Sequence, residues 1–560
     1  MQNQVIYNST IDFELPKLDL LSLLLDSPIC PARDDTVFHV EAAFPQNRIN
    51  KAQTKTLTKQ IACILREQYG IGGRGPGKDV VVCICSGQIL LPCVFYSVIA
   101  AGGIYSAAST GSTPQELSRQ ITQGHASLII TSVDCQAVAE KAAREAGLAP
   151  ESIVIVDSTG GKQRLLDHDG KDLLPFNRTL DWEVITDKQV LQDRPVALVY
   201  SSGTTGEPKG VGISQWNLVS QAAIASYSFR DYVSRQQVND PQFTFEYRSI
   251  AHLPTAHIGG MQAYLIQPPL HNGTVFWMQK FDFTQFIAFN QAFKITYMFS
   301  VPPIYHLIAS SPAVTNQFQS LSHAVSGAAP LAPETADHAT KKLGCEISQT
   351  WGLSEAAGSV TNGAWSDPDR SGSIQDLVPN IKVRIVDDLE TDVPDGHVGE
   401  FLIRGPMVVQ EYWKNPSATK EAFSRDGKWF KTGDIGRRKN GKFYLVDRKK
   451  ELIKFKGAQV APAELEAVLL SHKSIKDAAV IGVPDPAAPG NELPRAYVVG
   501  DPKEIDEASI KMFIKDQLAS YKQLRGGVRY VDQIPRSPNG KILRRVLKQR
   551  ALKEGKVAKL

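Results

Sequence analysis

Between residues 79 and 132 short apolar runs alternate with helix-length stretches, and this alternation does most to limit what the chain can fold into. Residues 79–85 have the length and β-branched content of a buried strand, 90–101 read as an apolar helix ended by Gly102-Gly103, and 104–108 read as a second strand. Thr113-Pro114-Gln115-Glu116 is a helix start, with proline at the first position and a glutamate in the first turn, and 128–131 is another strand. Strands separated by helices of this length need crossover connections, which implies βαβ units and a mostly parallel sheet.

The same rule places a strand at 196–200, and there the composition switches abruptly to hydroxyls and glycines: Ser201-Ser202-Gly203-Thr204-Thr205-Gly206-Glu207-Pro208-Lys209-Gly210. Such a stretch suits phosphate. Glycines let backbone N–H groups approach an anion, Ser and Thr hydroxyls donate to its oxygens, and a lysine supplies a point charge. It is not a Walker loop, because Lys209 follows Pro208 and precedes Gly210 instead of Ser or Thr. By composition alone a flexible surface turn would serve as well. Its position argues for a site, since ligands of parallel sheets collect at the carboxyl ends of strands.

A second α/β run spans 250–360, with strands at 249–253, 274–278, 295–301 and 323–326. Over 381–443 the texture changes to short strands with turns such as Asp395-Gly396 and Asn440-Gly441, which predicts a small β-rich subdomain. The charged break Val446-Asp447-Arg448-Lys449-Lys450-Glu451 then separates a stretch with its own helix (462–470) and strand (478–483), large enough to fold alone. The expected architecture is an α/β protein with a large N-terminal domain, 1–446, of mostly parallel βα layers plus the β-rich subdomain. A small mobile α+β C-terminal domain, 447–560, follows it.

Composition narrows the class. Of 560 residues 42% are hydrophobic and 21% charged, which suits several cores, and a net charge of +4 is too small at this size to imply nucleic acid. Seven cysteines in mostly apolar surroundings, with no CxxC pair, point to reduced thiols rather than a disulfide framework or zinc site. No signal peptide and no transmembrane span is expected, and the default location is cytoplasmic. The final twenty residues carry eight Lys or Arg against one acid, Glu554, the pattern of a solvated helix face. The chain ends Ala558-Lys559-Leu560, close to the peroxisomal address Ser-Lys-Leu and so a candidate ligand for the peroxisomal import receptor.

Three further stretches are modest singly. Gln349-Thr350-Trp351-Gly352-Leu353-Ser354-Glu355 brings together a ring on which a planar base could stack and a carboxylate that could hold Mg²⁺ beside phosphates, or else a core Trp and a surface Glu. Ser326-Gly327-Ala328-Ala329-Pro330 is a small-residue turn that would let a ligand lie against backbone. Thr432-Gly433-Asp434 offers a carboxylate that could accept from both ribose hydroxyls, or a plain loop residue.

In order and spacing the stretches 201–209, 349–355 and Thr432-Gly433-Asp434, with Asp447-Arg448 and Pro535-Arg536-Ser537-Pro538-Asn539-Gly540-Lys541, resemble the adenylate-forming superfamily of acyl-CoA synthetases, peptide-synthetase adenylation domains and firefly luciferase. Leu253-Pro254-Thr255-Ala256-His257, Met278-Gln279-Lys280-Phe281-Asp282 and the stretch 451–460 look most like 4-coumarate:CoA ligases and their fungal relatives. The resemblance implies a two-step reaction with ATP, Mg²⁺ and CoA. A small-molecule carboxylate attacks the α-phosphate to give acyl-adenylate, and the CoA thiol then displaces AMP. It implies that Ser201, Ser202, Gly203, Thr204, Thr205, Gly206 and Lys209 wrap the β- and γ-phosphates, with Gly327, Ala328, Gln349, Thr350, Trp351, Gly352 and Ser354 around the nucleotide. Glu355 would bind the metal, Asp434 and Arg448 the ribose, and Lys541 the reacting phosphate and carboxylate. His257 would guide the acid, Lys450 would be the hinge of a rotating C-terminal domain, and Lys454 and Gln459 would lie near the adenylate. Lys280, Lys456 and Gly457 would meet CoA.

The chain departs from the family pattern at Thr350, Trp351 and Ser354, where Gly, Tyr and Thr are usual. Ile258-Gly259-Gly260-Met261 is small where cinnamate ligases are bulkier, which predicts a roomier pocket for an aryl-alkanoic or medium-chain acid. Residues 231–248 form a longer segment than usual, with no evident role. Carrier-protein loading, a luciferase-like oxygenase and a non-catalytic nucleotide-binding regulator share these nucleotide motifs and stay open at this level.

Overall fold

The computed structural model describes residues 4–201, 208–365, 369–455, 458–486, 488, 491–537 and 540–557. Its largest sheet has eight strands, and its centre is the predicted βα alternation. Val80–Ile84 pairs in parallel with both Ile104–Ala107 and Ala126–Ser132, and Ile104–Ala107 pairs in parallel with Pro195–Ser201. The crossover helices are Leu91–Ala100, buried at every residue, and Pro114–Gly124. The second begins as its sequence requires: the Thr113 side chain accepts from the Glu116 backbone N–H, and the Glu116 carboxylate accepts from the Thr113 backbone N–H.

The second α/β run resolves into two sheets rather than one. Arg248–Ala251 and Thr274–Trp277 pair in parallel beside Val37–Glu41, whereas Tyr297–Ser300, His323–Ser326 and Ile347–Gln349 form a separate parallel sheet. Periodicity reports that a strand exists and says nothing of its partner, so the split was not readable. The β-rich subdomain is a five-stranded antiparallel sheet, in order Tyr7–Asn8, Lys382–Val386, Gly399–Arg404, Phe430–Lys439 and Lys442–Arg448.

Pairing in that sheet runs to Arg448, opposite Asp434. One residue earlier the Asp447 carboxylate accepts from the Ala463 backbone N–H at 2.9 Å, at the start of helix Pro462–Leu470. The last strand of the subdomain therefore caps the first helix of the C-terminal part. Beyond it lie a hairpin of Ile453–Phe455 and Ala458–Val460 and a three-stranded sheet, Asp477–Pro484, Glu492–Val499 and Val528–Tyr530. The basic C-terminal helix, Arg544–Val557, is tied down at its first residue, where Arg544 grips both oxygens of buried Glu466 at 2.8 Å. Among the described residues no helix is long and apolar enough to cross a membrane, and all seven cysteines are free.

Residues 231–248 acquire an account. Helix Gln215–Asn239 carries Phe229 and Tyr232, and the return toward Arg248 lays Phe243, Phe245 and Tyr247 back on them, with ring centroids 5.7 to 6.2 Å apart. The segment builds an aromatic cluster, closed by Trp365 at 5.1 Å from Phe229.

Candidate active site

A single cavity of about 630 Å³ runs between the parallel sheets, the β-rich subdomain and the C-terminal part. The hydroxyl- and glycine-rich stretch starts at its edge. Strand Pro195–Ser201 pairs antiparallel with strand Lys209–Ser214, with Ser201 opposite Lys209. Ser201 and Lys209 line the cavity, and Lys209 Nζ sits 5.2 Å from the centre of the Tyr412 ring. Ser202, Gly203, Thr204, Thr205 and Gly206 lie outside the described residues.

The other walls come from strand ends, as a parallel sheet requires. Gly327 and Ala328 follow His323–Ser326; a Cβ at Gly327 would stand 2.9 Å from the Phe299 ring, so only glycine fits there. Thr350, Gly352, Ser354 and Glu355 follow Ile347–Gln349 and line the cavity. Gln349 itself points to scaffolding, its Oε1 accepting from the Leu331 backbone N–H at 3.1 Å and pinning the small-residue turn. Glu355 is 9% exposed and accepts from the Tyr412 hydroxyl at 2.8 Å, and burial followed by the Glu355 charge pushes the Tyr412 pKa up. Tyr412 gave no signal in the sequence, being one aromatic of a two-residue strand.

Trp351 is 5% exposed, does not line the cavity, and packs edge-on against Phe401 at 5.3 Å. Its indole Nε1 donates to Asp434 Oδ2 at 2.8 Å, while Arg448 Nε holds Oδ1 at 3.0 Å. The indole N–H lies on the ring's edge, and the chain uses it to fix a buried carboxylate. The Asp434 charge, more than any other group, raises the Arg448 pKa.

Lys541 reaches this cavity from the C-terminal part, and His257 reaches it from the N-terminus of helix Ile258–Met261. Burial and then Arg448 lower the Lys541 pKa, against the pull of Asp434, Glu355 and Glu451. Burial and then Lys541 push His257 down to about 4, so its imidazole is neutral at ordinary pH. Lys450 also lines the cavity, its pKa lowered by burial and by Lys209. Lys454 and Gln459 face each other across their hairpin, exposed and away from the cavity. Lys280 is also outside it, with a largely exposed side chain 3.1 Å from Asp134. Lys456 and Gly457 are not among the described residues.

The glycines expected to enlarge the acid pocket are largely spoken for. A Cβ at Gly259 would meet the Phe299 ring at 3.0 Å, and one at Gly260 would strike the Pro254 carbonyl oxygen at 2.2 Å. Backbone and Phe299 occupy that space. The farther end of the cavity is aromatic instead, lined by Phe229, Tyr247, His271, Tyr297 and Trp365. No cluster of three or more candidate metal ligands occurs among the described residues, and Glu355 lines the cavity together with Asp387, Asp388, Glu390, Glu400 and Glu421.

The AMP-binding enzyme model matches residues 32–413, and the AMP-binding enzyme C-terminal domain model matches 464–541. This chain belongs to the AMP-binding enzyme family. It is 47% identical to a putative acyl-coenzyme A synthetase of Emericella nidulans over 98% of this chain and 99% of that protein. It is 33% identical to 4-coumarate--CoA ligase-like 9 of Oryza sativa subsp. japonica over 93% of this chain and 91% of that one. The crystal structure of ATP-bound MatB from Rhodopseudomonas palustris superposes with a TM-score of 0.80 at 26% identity, over 95% of this chain and 98% of the other. The family is therefore adenylate-forming, with the mixed α/β body and small C-terminal domain described above.

Proposed function

We propose that this cavity condenses an aryl or aryl-alkanoic acid with ATP and passes the product to CoA. The reaction is AMP-forming acid–thiol ligation: ATP-dependent, through an acyl-adenylate, with a CoA thioester as product. The observation that carries the reading is the meeting of Lys541 with Lys209, His257, Glu355 and Arg448 around one cavity, although Lys541 belongs to the C-terminal part. In-line attack of a carboxylate on phosphate gathers negative charge on the equatorial oxygens. A cation held there, with Arg448 beside it, favours the transition state over the ground state. Neutral His257 steers the carboxylate without pairing with it as an ion. Asp434, held by Trp351 and Arg448, is our ribose anchor, and Ser201 and Lys209 with the loop between them face the leaving pyrophosphate.

Glu355 fits a magnesium ion, being buried, at the cavity wall, and oriented by Tyr412. Mg²⁺, when bound, neutralises phosphate charge. The thioester step calls on other groups. We assign residues 1–446 and 447–560 as the two domains, Lys450 as their hinge, Lys454 and Gln459 as the pair brought in by rotation, and Lys280, Lys456 and Gly457 as the CoA contacts. The aromatic far wall favours an aryl group over an alkyl chain. Ala558-Lys559-Leu560, outside the described residues, is our candidate address for the peroxisomal import receptor.

The test is product accounting. Pyrophosphate release should require an acid, and AMP release should then require CoA. Loss of pyrophosphate release with every acid offered would overturn the reading, and AMP release indifferent to CoA would move the acceptor elsewhere.

A further inference from the structure

The strand that carries Arg448 holds a carboxylate shared between the two parts of the chain. Asp447 lies opposite Ile435 in the five-stranded sheet and so belongs with the N-terminal body. Lys449 is still tied to that body: its backbone N–H donates to the Gly433 carbonyl at 2.8 Å, and its Nζ stands 2.9 Å from Glu400 and 2.7 Å from Asp388. Lys450 is the first exposed residue after them. Ala463 lies beyond it, and its backbone N–H donates to Asp447 Oδ2 at 2.9 Å. A rotation about Lys450 carries Ala463 away and leaves Asp447 in place, so a large turn breaks this bond.

Helix Pro462–Leu470 has no cap of its own. Pro462 lacks an N–H, so Ala463 holds the first donor that needs a partner. The residue at the N-cap is Ala461, whose side chain cannot accept, and Glu464, placed to close a capping box, pairs with Lys522 Nζ at 2.6 Å. The body supplies what the helix lacks, and a carboxylate also suits the positive end of the helix dipole. The same helix is tied to Lys541. Glu466 accepts from Arg544 Nη2 with both oxygens at 2.8 Å, and Arg544 Nη1 donates to Glu451 at 2.6 Å. Arg544 stands three residues past Lys541, which lines the cavity. Val446 and Ile435 of the body add an apolar contact with Leu452 and Ala461.

We propose that Asp447 is the positioning residue that latches the C-terminal part in its adenylating arrangement, capping helix Pro462–Leu470 while Lys541 is in the cavity and releasing it when the C-terminal part turns. The inference rests on the ligase reading above and on Lys450 as the hinge. A side-chain cap shifts an equilibrium by about fivefold, enough to bias the resting arrangement and small enough to break in every turnover.

The test separates the two half-reactions in wild type, Asp447→Ala, which removes the cap, and Asp447→Asn, which keeps an acceptor oxygen. The probe is whichever of benzoic, phenylacetic and cinnamic acid the wild type turns over fastest, together with its synthetic adenylate. In Asp447→Ala, kcat for acid-dependent pyrophosphate release should fall by about three- to tenfold, with KM for ATP within about twofold of wild type. Thioester formation from supplied acyl-adenylate and CoA should hold at the wild-type rate or rise. Asp447→Asn should restore pyrophosphate release to within about twofold, since Asn caps as well as Asp. Equal loss of both half-reactions would make Asp447 a support of the fold alone, and a change confined to KM for ATP would make it a support of Arg448, to whose backbone N–H its Oδ1 is bonded at 2.7 Å. Either result, or unchanged release in Asp447→Ala, overturns the latch and leaves the ligase reading intact. No release from the wild type with any of the three acids overturns the ligase reading itself.

Discussion

Trp351 and Asp434 stand 83 residues apart in sequence and 2.8 Å apart in space, indole N–H to carboxylate. The bond joins the turn after strand Ile347–Gln349 to the β-rich subdomain, and it spends a buried donor on holding the oxygen that Arg448 leaves unpaired. Trp351→Phe should keep the packing against Phe401 and lose only the donor. A buried carboxylate oxygen short of one partner costs about 1–3 kcal/mol, so AMP affinity should fall roughly tenfold. Titration calorimetry with AMP checks this, and unchanged affinity would separate Asp434 from the nucleotide.

The Tyr412 hydroxyl plays the corresponding part for Glu355. Tyr412→Phe removes the hydrogen bond that orients the carboxylate and leaves the ring beneath Lys209 Nζ. Groups that orient a metal ligand are worth about tenfold or more in metal affinity, so the Mg²⁺ concentration for half-maximal pyrophosphate release should rise by about that factor. A metal titration of variant against wild type decides it.

The histidines set the acid limit of stability. His39, His271 and His323 are pushed to about 3, and His252 and His257 to about 4, in every case chiefly by burial. Each folded pKa lies below the unfolded value near 6.5, so the unfolded chain binds more protons as pH drops. Their contribution is therefore complete above about pH 6.5 and lost as pH falls toward 4, at about 1.4 kcal/mol per pH unit per site. Tm should be nearly level from pH 8 to 7 and fall steeply from 6.5 to 5. A level Tm down to pH 5 would contradict the burial of these rings.

Local rules made much of this legible. Thr113-Pro114-Gln115-Glu116 announced a helix start, and strand His323–Ser326 and helix Pro462–Leu470 lie where apolar runs put them. The motif residues that converge on the cavity were readable because each carries its chemistry in its own side chain. What stayed hidden depends on partners remote in sequence. Nothing near Trp351 tells that Asp434 will meet its N–H, and nothing near Gly259 tells that Phe299 will fill the space opposite. The aromatics between Phe229 and Tyr247 were a compositional hint whose meaning needed Trp365.

Lys541 offers a test of the two-step division, because its loop is docked by a neighbour. Gly540 has φ +79°, and a Cβ there would press on Pro303 at 3.0 and 3.2 Å, so the loop seats on the N-terminal body only with glycine at this place. Lys541→Ala removes the cation from a correctly docked loop, whereas Gly540→Val keeps the cation and disturbs the docking. Both should lower acid-dependent pyrophosphate release, Lys541→Ala by about a hundredfold or more, the cost of one electrostatic contact in a closed site. If the C-terminal domain turns away between steps, neither residue serves the second one. Supplied acyl-adenylate and CoA should then yield thioester at rates within about threefold of wild type in both variants, a change under about 0.7 kcal/mol. Equal loss of both steps would mean that one arrangement of the domains, with Lys541 in the cavity, carries the whole reaction.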